Sequence, residues 1–332
     1  MSDAILRVEG LTAHFFTPEG VVKAVNGVSF DLPRGSTLAI LGESGAGKTS
    51  LGLAILNLLP HPGRVVGGRV FLDDMEISNL KDEEMRRLRG RDIAMIFQDP
   101  VSGLNPVLPV GVQVEEIITT HLAVPKREAK RRSLDVLSQM GLAEPEQVAA
   151  SYPFHLSGGM CQRVMIAIAT ALNPKVLIAD EPTSALDVTV QAAILHELEE
   201  LRLRHGTSIL LITHDLGVVA QMAQRVAVMY AGSVIESGDS AQVFQQPRHP
   251  YTWGLLSSRP RLDRDQRRPL PSIPGAPPNL MELSEECPFL PRCPKALSRC
   301  RQESAPPLAP LAPHHLAACY NPVRHEDGLD SN

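Results

Sequence analysis

The stretch LGESGAGKTS, residues 41–50, decides the fold of this chain. It follows the apolar run TLAIL and precedes the helical pattern SLGLAILNLL, so the sequence predicts a strand, a glycine-rich turn and a helix. The stretch matches the phosphate-binding pattern G-x-x-x-x-G-K-[ST]. Its glycines let backbone N–H groups turn inward around phosphate oxygens, and the helix adds its positive N-terminal end. A glycine-rich turn that merely happens to carry a lysine is the weaker alternative, because strand and helix flank it in the required order.

This stretch supplies most of the candidate nucleotide ligands. Lys48 is expected to reach the β- and γ-phosphates of a nucleotide, and the Thr49 hydroxyl is expected to bind Mg²⁺. The candidate ligands here are Gly42, Ser44, Gly45, Gly47, Lys48, Thr49 and Ser50.

A second candidate element is the acidic end of the apolar run VLIADE, residues 176–181. Open α/β sheets bind ligands at the carboxyl ends of their strands, which is where Asp180 is expected to lie. A P-loop protein that hydrolyses its nucleotide needs a carboxylate there to hold the metal. We therefore expect Asp180 to bind magnesium and Glu181 to act as general base, although an Asp-Glu pair after a strand can also be a plain surface feature.

The third element is LSGGMCQR, residues 156–163, between the lysine and the acidic strand. Ser157 is a natural N-cap for the following helix, and Gly158 and Gly159 leave backbone N–H groups open to an anion. A chain that already has one phosphate loop needs a second anion site only if two chains sandwich each nucleotide. The alternative is that Ser-Gly-Gly is a helix cap and nothing more.

Composition and patterning bound the class of protein. The chain has 332 residues, of which 43% are hydrophobic and 21% are charged, and this composition is that of an ordinary globular protein. Its net charge of -5 does not suggest a general nucleic-acid binder. Its apolar runs are too short to cross a bilayer, and the N-terminus lacks a signal-peptide pattern. A cytosolic protein is expected, with one large domain and a smaller appendage.

The order of patterns along the chain predicts an α/β fold with a largely parallel sheet. Strands are expected at TLAILG, DIAMIFQ, KVLIAD and SILLITH, and a helix over TVQAAILHELEELRLRHG that stops at Gly206. The turn-rich section before the phosphate loop suggests antiparallel strands. We place one domain at 1–256 and an extension at 257–332, which begins with a Pro- and Arg-rich linker.

Taken together, these motifs and those that follow resemble the motifs of the ATP-binding cassette (ABC) ATPases. The motifs are Lys48, Gln98 in IFQDP, LSGGMCQR, VLIADE, Asp187 in SALD and His214 in LITHD, in the family's order. The resemblance implies a RecA-like P-loop core with an antiparallel β subdomain and a helical subdomain. It further implies that Gln98 senses metal and water, Asp187 lies at a dimer seam and His214 contacts the γ-phosphate. It also implies an aromatic residue stacked on adenine, for which Phe16 is the candidate and Phe15 the alternative. Cys161 departs from the signature, which more commonly has Arg there, and is either an ordinary helix residue or an accessible thiol.

The motifs DVTVQAAIL, THDLGVVA, HPYTWGLL, IPGAPPNL and CPFLPRCP narrow the resemblance to ATPase subunits of dipeptide and oligopeptide importers. That implies a second, different ATPase subunit, two membrane permease subunits and a periplasmic or extracellular substrate-binding protein, with this chain at the cytoplasmic face of the membrane. Nickel, glutathione and opine importers use similar ATPases. A soluble, redox-responsive cassette regulator is the alternative from another class.

Four of the 5 cysteines lie near the C-terminus, spaced C-x5-C-x6-C-x18-C: Cys287, Cys293, Cys300 and Cys319. In a reducing compartment such a set indicates metal or redox chemistry rather than disulfides. Four thiolates suit tetrahedral zinc or a [4Fe–4S] cluster, and free buried thiols are the third possibility. The wide spacings favour the larger cluster, and the importer resemblance implies one.

Overall fold

The computed structural model of the chain describes residues 3–184, 186–258 and 272–324. The described residues fall into two compact units. Unit 1 takes those in the ranges 3–7, 31–37 and 71–212, and unit 2 takes those in 8–30, 38–70 and 213–324. The phosphate-loop stretch and the late cysteines therefore belong to the same unit. Most of the expected linker, residues 259–271, lies outside the described residues.

Strands and helices alternate along most of the described chain. The strands are β1 (Ala4–Thr17), β2 (Gly20–Pro33), β3 (Thr37–Leu41), β4 (Gly63–Leu72), β5 (Met75–Glu76), β6 (Ile93–Ile96), β7 (Val176–Asp180), β8 (Ser208–Thr213), β9 (Arg225–Tyr230), β10 (Ser233–Asp239), β11 (Ala309–Ala312) and β12 (His315–Ala317). The α-helices are α1 (Lys48–Ile55), α2 (Asp82–Leu88), α3 (Val110–His121), α4 (Lys126–Gln139), α5 (Pro145–Ala150), α6 (Gly158–Thr170), α7 (Val188–His205), α8 (Leu216–Met222), α9 (Ser240–Gln245) and α10 (Pro250–Ser257). Short 3₁₀ turns cover Pro153–His155, Leu290–Arg292 and Ser298–Arg301.

The sheet of unit 1 runs in the order β8-β7-β6 with all strands parallel. Every residue of the three strands is buried, including Thr213 at the end of β8. Strands covered on both faces read as continuous apolar runs, which is why the sequence located them. Helices α3, α4 and α5 pack on one another, and α3 and α4 also pack on α6. Gly206 ends α7 in the left-handed conformation, with φ 68, as predicted.

Unit 2 holds a sheet in the order β11-β12-β10-β9-β3. Strands β3 and β9 are parallel, and the pairs from β9 outward are antiparallel. Strands β1 and β2 are sheet neighbours joined by a two-residue turn, Pro18 and Glu19, and β4 lies on the other side of β1. Such a short connection makes β1 and β2 a hairpin, in line with the antiparallel strands predicted for this section.

The C-terminal segment joins the sheet of unit 2 by strand pairing, which no pattern in the sequence predicts. Strand β12 pairs with β10, with Gly238 opposite His315, and β11 pairs with the other edge of β12. His315 also meets the buried carboxylate of Glu236, with Nε2 and Oε1 2.7 Å apart. These strands are three and four residues long and one carries Pro310, so they are too short to show a period in the sequence.

No helix within the described ranges is long and apolar enough to cross a membrane.

Candidate nucleotide site

The phosphate loop of unit 2 is built as the sequence predicts, between the end of β3 and the start of α1. Two of its glycines are required by close contacts. A Cβ at Gly42 would lie 2.3 Å from the Met229 carbonyl oxygen, and one at Gly47 would lie 2.0 Å from the Ala24 carbonyl oxygen. Gly47 is also the N-cap of α1 with φ 96, a conformation that favours glycine. The neighbouring strands therefore fix the loop, and side chains at 42 and 47 would displace it.

Lys48 lies over the loop that carries it. Its Nζ donates hydrogen bonds to the carbonyl oxygens of Gly42, at 2.8 Å, and Glu43, at 3.0 Å. The side chain is buried, and a buried ammonium needs such partners. Thr49 is exposed at the start of the helix, as are Ser44 and Gly45 in the loop, whereas Ser50 is half-buried. These exposed groups are accessible to a phosphate.

Phe16 lies in the same unit, near the end of β1, and is half-buried. The guanidinium carbon of Arg64 lies 4.0 Å from its ring centroid, which is a cation–π contact covering one face. The neighbouring Phe15 packs against Gly63, where an added Cβ would come within 2.6 Å of its ring. Both aromatic residues are half-buried and both make internal contacts, so Phe16 stays the prediction for the stacking residue, with Phe15 as the alternative.

The acidic pair of unit 1 lies at the carboxyl end of β7. Asp180 ends the strand and is 1% exposed, and Glu181 is 9% exposed with φ 49. The N–H of Glu181 donates to the Ile212 carbonyl oxygen at 2.8 Å, which holds this unusual backbone conformation in place. Non-glycine residues with positive φ cost free energy and concentrate at functional sites. The alternative of a plain surface pair does not fit, because both residues are buried.

The signature segment of unit 1 forms a capped helix N-terminus. The Ser157 hydroxyl accepts a hydrogen bond from the Met160 N–H at 3.3 Å, so the predicted N-cap is confirmed. A Cβ at Gly158 would meet no atom within 4 Å, and one at Gly159 would lie 3.2 Å from Val190. The open space beside Gly158 leaves this helix end accessible to an anion.

Gln162, within the signature LSGGMCQR, has a structural role that its motif alone does not indicate. Its buried Nε2 donates to the Pro182 carbonyl oxygen at 2.8 Å, joining α6 to the turn that follows Glu181. A glutamine among apolar helix residues is the only sequence signal that points to such a bond. Cys161 is 1% exposed, its Sγ lies 3.4 Å from the Pro153 carbonyl oxygen, and burial raises its pKa. The accessible-thiol alternative for Cys161 is therefore wrong, and it is an ordinary buried helix residue.

The remaining candidates are exposed. Gln98 follows β6 in unit 1, and His214 follows β8 in unit 2. Asp187 is the N-cap of α7 and accepts hydrogen bonds from the N–H groups of Thr189 and Val190, both at 3.0 Å. A structural capping role for Asp187 thus accompanies its predicted place at a dimer seam.

The four late cysteines line one pocket of unit 2, which we call the cysteine pocket: Cys287, Cys293, Cys300 and Cys319. Burial raises the pKa of Cys287 and of Cys293, and raises the pKa of Cys319 to about 12, so these thiols are protonated at neutral pH unless a cation binds. As they stand, no group of three or more His, Cys, Asp or Glu side chains in residues 3–184, 186–258 and 272–324 is arranged as a metal site. The four thiols therefore share a pocket without being arranged around a metal ion.

A parallel α/β core, a phosphate loop, a buried Asp-Glu pair after a strand and a capped signature helix define an ATP-binding cassette ATPase. Comparisons with known proteins agree. The family described as ABC transporter matches residues 25–184, and the one described as oligopeptide/dipeptide transporter, C-terminal region, matches residues 235–300.

Two relatives span most of the chain. It is 48% identical over 97% of its length to the oligopeptide transport ATP-binding protein OppD of Escherichia coli (strain K12), covering 94% of that protein. It is 48% identical over 90% of its length to the dipeptide transport ATP-binding protein DppD of Bacillus subtilis (strain 168), covering 89% of that protein. The chain therefore belongs to the ABC transporter family, among the oligopeptide and dipeptide transport ATP-binding proteins.

A solved dimeric ATP-binding cassette, in a post-hydrolysis state bound to ADP and Pi, has a similar fold. The TM-score is 0.65 and the identity 29%, over 71% of this chain and 98% of the other. The cassette fold and the ATPase activity expected from the motifs are thus confirmed.

Proposed function

We propose that this chain is the motor subunit of an importer for dipeptides or oligopeptides. The proposal rests on the two relatives above, which match 97% and 90% of the chain at 48% identity. The match of residues 235–300 to the transporter C-terminal region supports the same class. In this role, ATP binding and hydrolysis drive a separate membrane channel. The motor subunit itself consists of the cassette at 1–256 and the extension at 257–332.

The chain's own residues have distinct proposed tasks. The loop N–H groups and Lys48 hold the phosphates, and Glu181 orients the attacking water as general base. The Thr49 hydroxyl and the Asp180 carboxylate hold Mg²⁺, together with Gln98. When bound, Mg²⁺ neutralises charge that develops on the phosphate oxygens. His214 contacts the γ-phosphate and Phe16 stacks on adenine.

The chain carries one phosphate loop and one signature, so we propose that it works with a second ATPase subunit. Each chain would offer Ser157, Gly158 and Gly159, or their equivalents, to the nucleotide held by the other, with Asp187 at the seam. The dimeric cassette of similar fold supports this arrangement. The peptide-importer class further suggests that the partner is a different ATPase chain. It also suggests two permease subunits, a periplasmic or extracellular substrate-binding protein and a location at the cytoplasmic face of the membrane.

Uptake by the assembled transporter tests this function. The chain, co-expressed with candidate permease subunits, a candidate partner ATPase and a candidate binding protein, is expected to co-purify with them and to support ATP-dependent uptake of a labelled dipeptide or tripeptide. Labelled nickel, glutathione and an opine serve as competing cargoes. Uptake of one of these compounds instead of peptide would show that the transporter imports that class of cargo. A homodimer that binds no membrane subunit would favour the soluble redox-responsive regulator.

For the cysteine pocket we propose a [4Fe–4S] cluster, with zinc as the alternative. Four cysteine thiols line one pocket, and their separations of 5, 6 and 18 residues lack the short chelating turns of structural zinc sites. A cluster would staple a segment that has few buried side chains of its own, in a structural or redox role apart from ATP chemistry.

Replacing one pocket cysteine tests the cluster. Purified without oxygen, the wild-type chain is expected to contain about four irons and about four acid-labile sulfides, and Cys293→Ser is expected to lose most of both. Cys161→Ser is the matched control, because Cys161 is buried in unit 1 and lies outside the pocket. One zinc without sulfide would make the pocket a structural zinc site. Neither metal in the wild type would leave four thiols and contradict both assignments.

A further inference from the structure

Arg292, between two of the pocket cysteines, reaches the phosphate loop of the same unit. It ends the 3₁₀ turn Leu290–Arg292, and its side chain is 6% exposed. Its Nη1 donates to Oε2 of Glu43 at 2.9 Å and its Nη2 donates to Oε1 at 3.3 Å. Glu43 is the residue directly after the first glycine of the phosphate loop. The forked geometry of this ion pair fixes the carboxylate in direction as well as in distance.

The guanidinium is itself held in place by the surrounding chain. Its Nε donates to the Pro274 carbonyl oxygen at 2.9 Å, Nη2 donates to that of Ile273 at 3.4 Å, and Nη1 donates to the Tyr230 hydroxyl at 3.3 Å. With so many bonds made, the guanidinium has little freedom to follow a moving loop. It therefore acts as a fixed point on the C-terminal segment to which the loop is attached.

Glu43 is held at its backbone as well as at its side chain. Its N–H donates to the hydroxyl of the fully buried Tyr251 at 2.9 Å, and its carbonyl oxygen accepts from Lys48 Nζ at 3.0 Å. Lys48 is the residue expected to reach the phosphates. The position of Glu43 thus bears directly on the lysine, and the chain of contacts runs from Arg292 through Glu43 to Lys48.

We propose that Arg292 is a positioning residue for ATP, which holds the phosphate loop in its binding conformation through Glu43. Because its guanidinium is occupied by these protein contacts, it acts on ATP through Glu43. Preformed donors bind phosphate without an ordering cost, so a loop released from this anchor binds ATP more weakly. The C-terminal segment is in this way part of the support of the nucleotide site, and the proposal does not depend on which group the cysteines bind.

Two neutral variants separate positioning from simple electrostatics. If Arg292 acted only as a positive charge near the phosphates, Arg292→Gln would weaken binding and Glu43→Gln, which removes a negative charge, would tighten it. If the pair acts by holding the loop, both variants weaken binding. The double variant then loses no more than the weaker-binding single variant, because the two residues form one contact.

The test is the Kd of ATP and of ADP, each with Mg²⁺, measured by calorimetry on the full chain. Arg292→Gln and Glu43→Gln are each expected to weaken ATP by about tenfold, equivalent to about 1.4 kcal/mol, with the double variant the same. Arg292→Lys keeps the charge but loses the fork, and is expected to lie between wild type and Arg292→Gln. Arg301→Gln is the matched control: it removes the same charge from an exposed position of the same segment, and its Kd is expected to equal that of wild type.

Tighter binding by Glu43→Gln, or wild-type affinity in both single variants, would overturn the proposal. Thermal unfolding is followed in parallel. If the Arg292–Glu43 ion pair only stabilised the fold, its loss would lower the melting temperature and leave the Kd for ATP below that temperature unchanged. That result would also overturn the proposal. If Arg292→Gln does not fold, Glu43→Gln decides alone, since it leaves the C-terminal segment intact. In the assembled transporter, the corresponding expectation is a raised KM for ATP with kcat little changed.

Discussion

Glu181→Gln is expected to lower steady-state ATP hydrolysis by at least about 100-fold, the usual contribution of a positioned general base. ATP binding should stay within a factor of about three of wild type, because the change removes one charge and keeps the shape of the side chain. The backbone of Glu181 has φ 49 and donates its N–H to Ile212, and glutamine can occupy the same conformation. Phosphate release by the assembled transporter and the Kd of ATP are the two measurements. The variant is further expected to remain closed around ATP, if the proposed pair of ATPase subunits opens only on hydrolysis.

Glu200→Gln is the control for this prediction. Glu200 lies on α7 and forms an ion pair with Arg204, which is 74% exposed, so its loss should leave both turnover and binding unchanged. Normal turnover by Glu181→Gln would refute the assignment of the base. Loss of both ATP binding and turnover would instead show that Glu181 contributes to ATP binding.

The parts of the molecule that the sequence predicted share one property, which is that their signal is local. The strands at 93–96, 176–180 and 208–213 are short, fully buried and mostly apolar, so the residues of each strand are enough to predict it. The phosphate loop is equally local, because the required glycines, the lysine and the following helix are adjacent in the chain. Ser157 as a helix cap depends on residues no more than three positions away.

The parts that the sequence did not predict depend on residues far apart in the chain. Arg292 and Glu43 are 249 positions apart, and nothing near either residue indicates the other. The same is true of His315 and Glu236, 79 positions apart, which accompany the pairing of β12 with β10. The spacing of the four late cysteines predicts that they act as a set, but only the folded chain shows that all four line one pocket. Long-range polar pairs of this kind are set by the completed fold, so they fall outside what a pattern of neighbours can show.

Gly47→Ala is expected to abolish detectable ATP binding. The added Cβ would lie 2.0 Å from the Ala24 carbonyl oxygen, and backbone on one side must move because neither atom belongs to a flexible side chain. Gly47 is also the N-cap of α1 directly before Lys48, so the displacement is passed to the first turn of the helix and to the lysine. Positive φ alone costs an alanine only about 1–2 kcal/mol, so the steric clash supplies most of the effect.

Gly27→Ala separates these two contributions. Gly27 has φ 68 and a Cβ there meets no atom within 4 Å, so this variant carries the conformational cost without the clash. It is expected to lower the melting temperature by a few degrees and to bind ATP with wild-type affinity. Calorimetric titration with Mg-ATP and thermal unfolding of both variants are the measurements. Wild-type affinity in a folded Gly47→Ala chain would mean that the loop tolerates the displacement, and that the close packing of Gly47 against Ala24 is not what holds the phosphate site in its binding conformation.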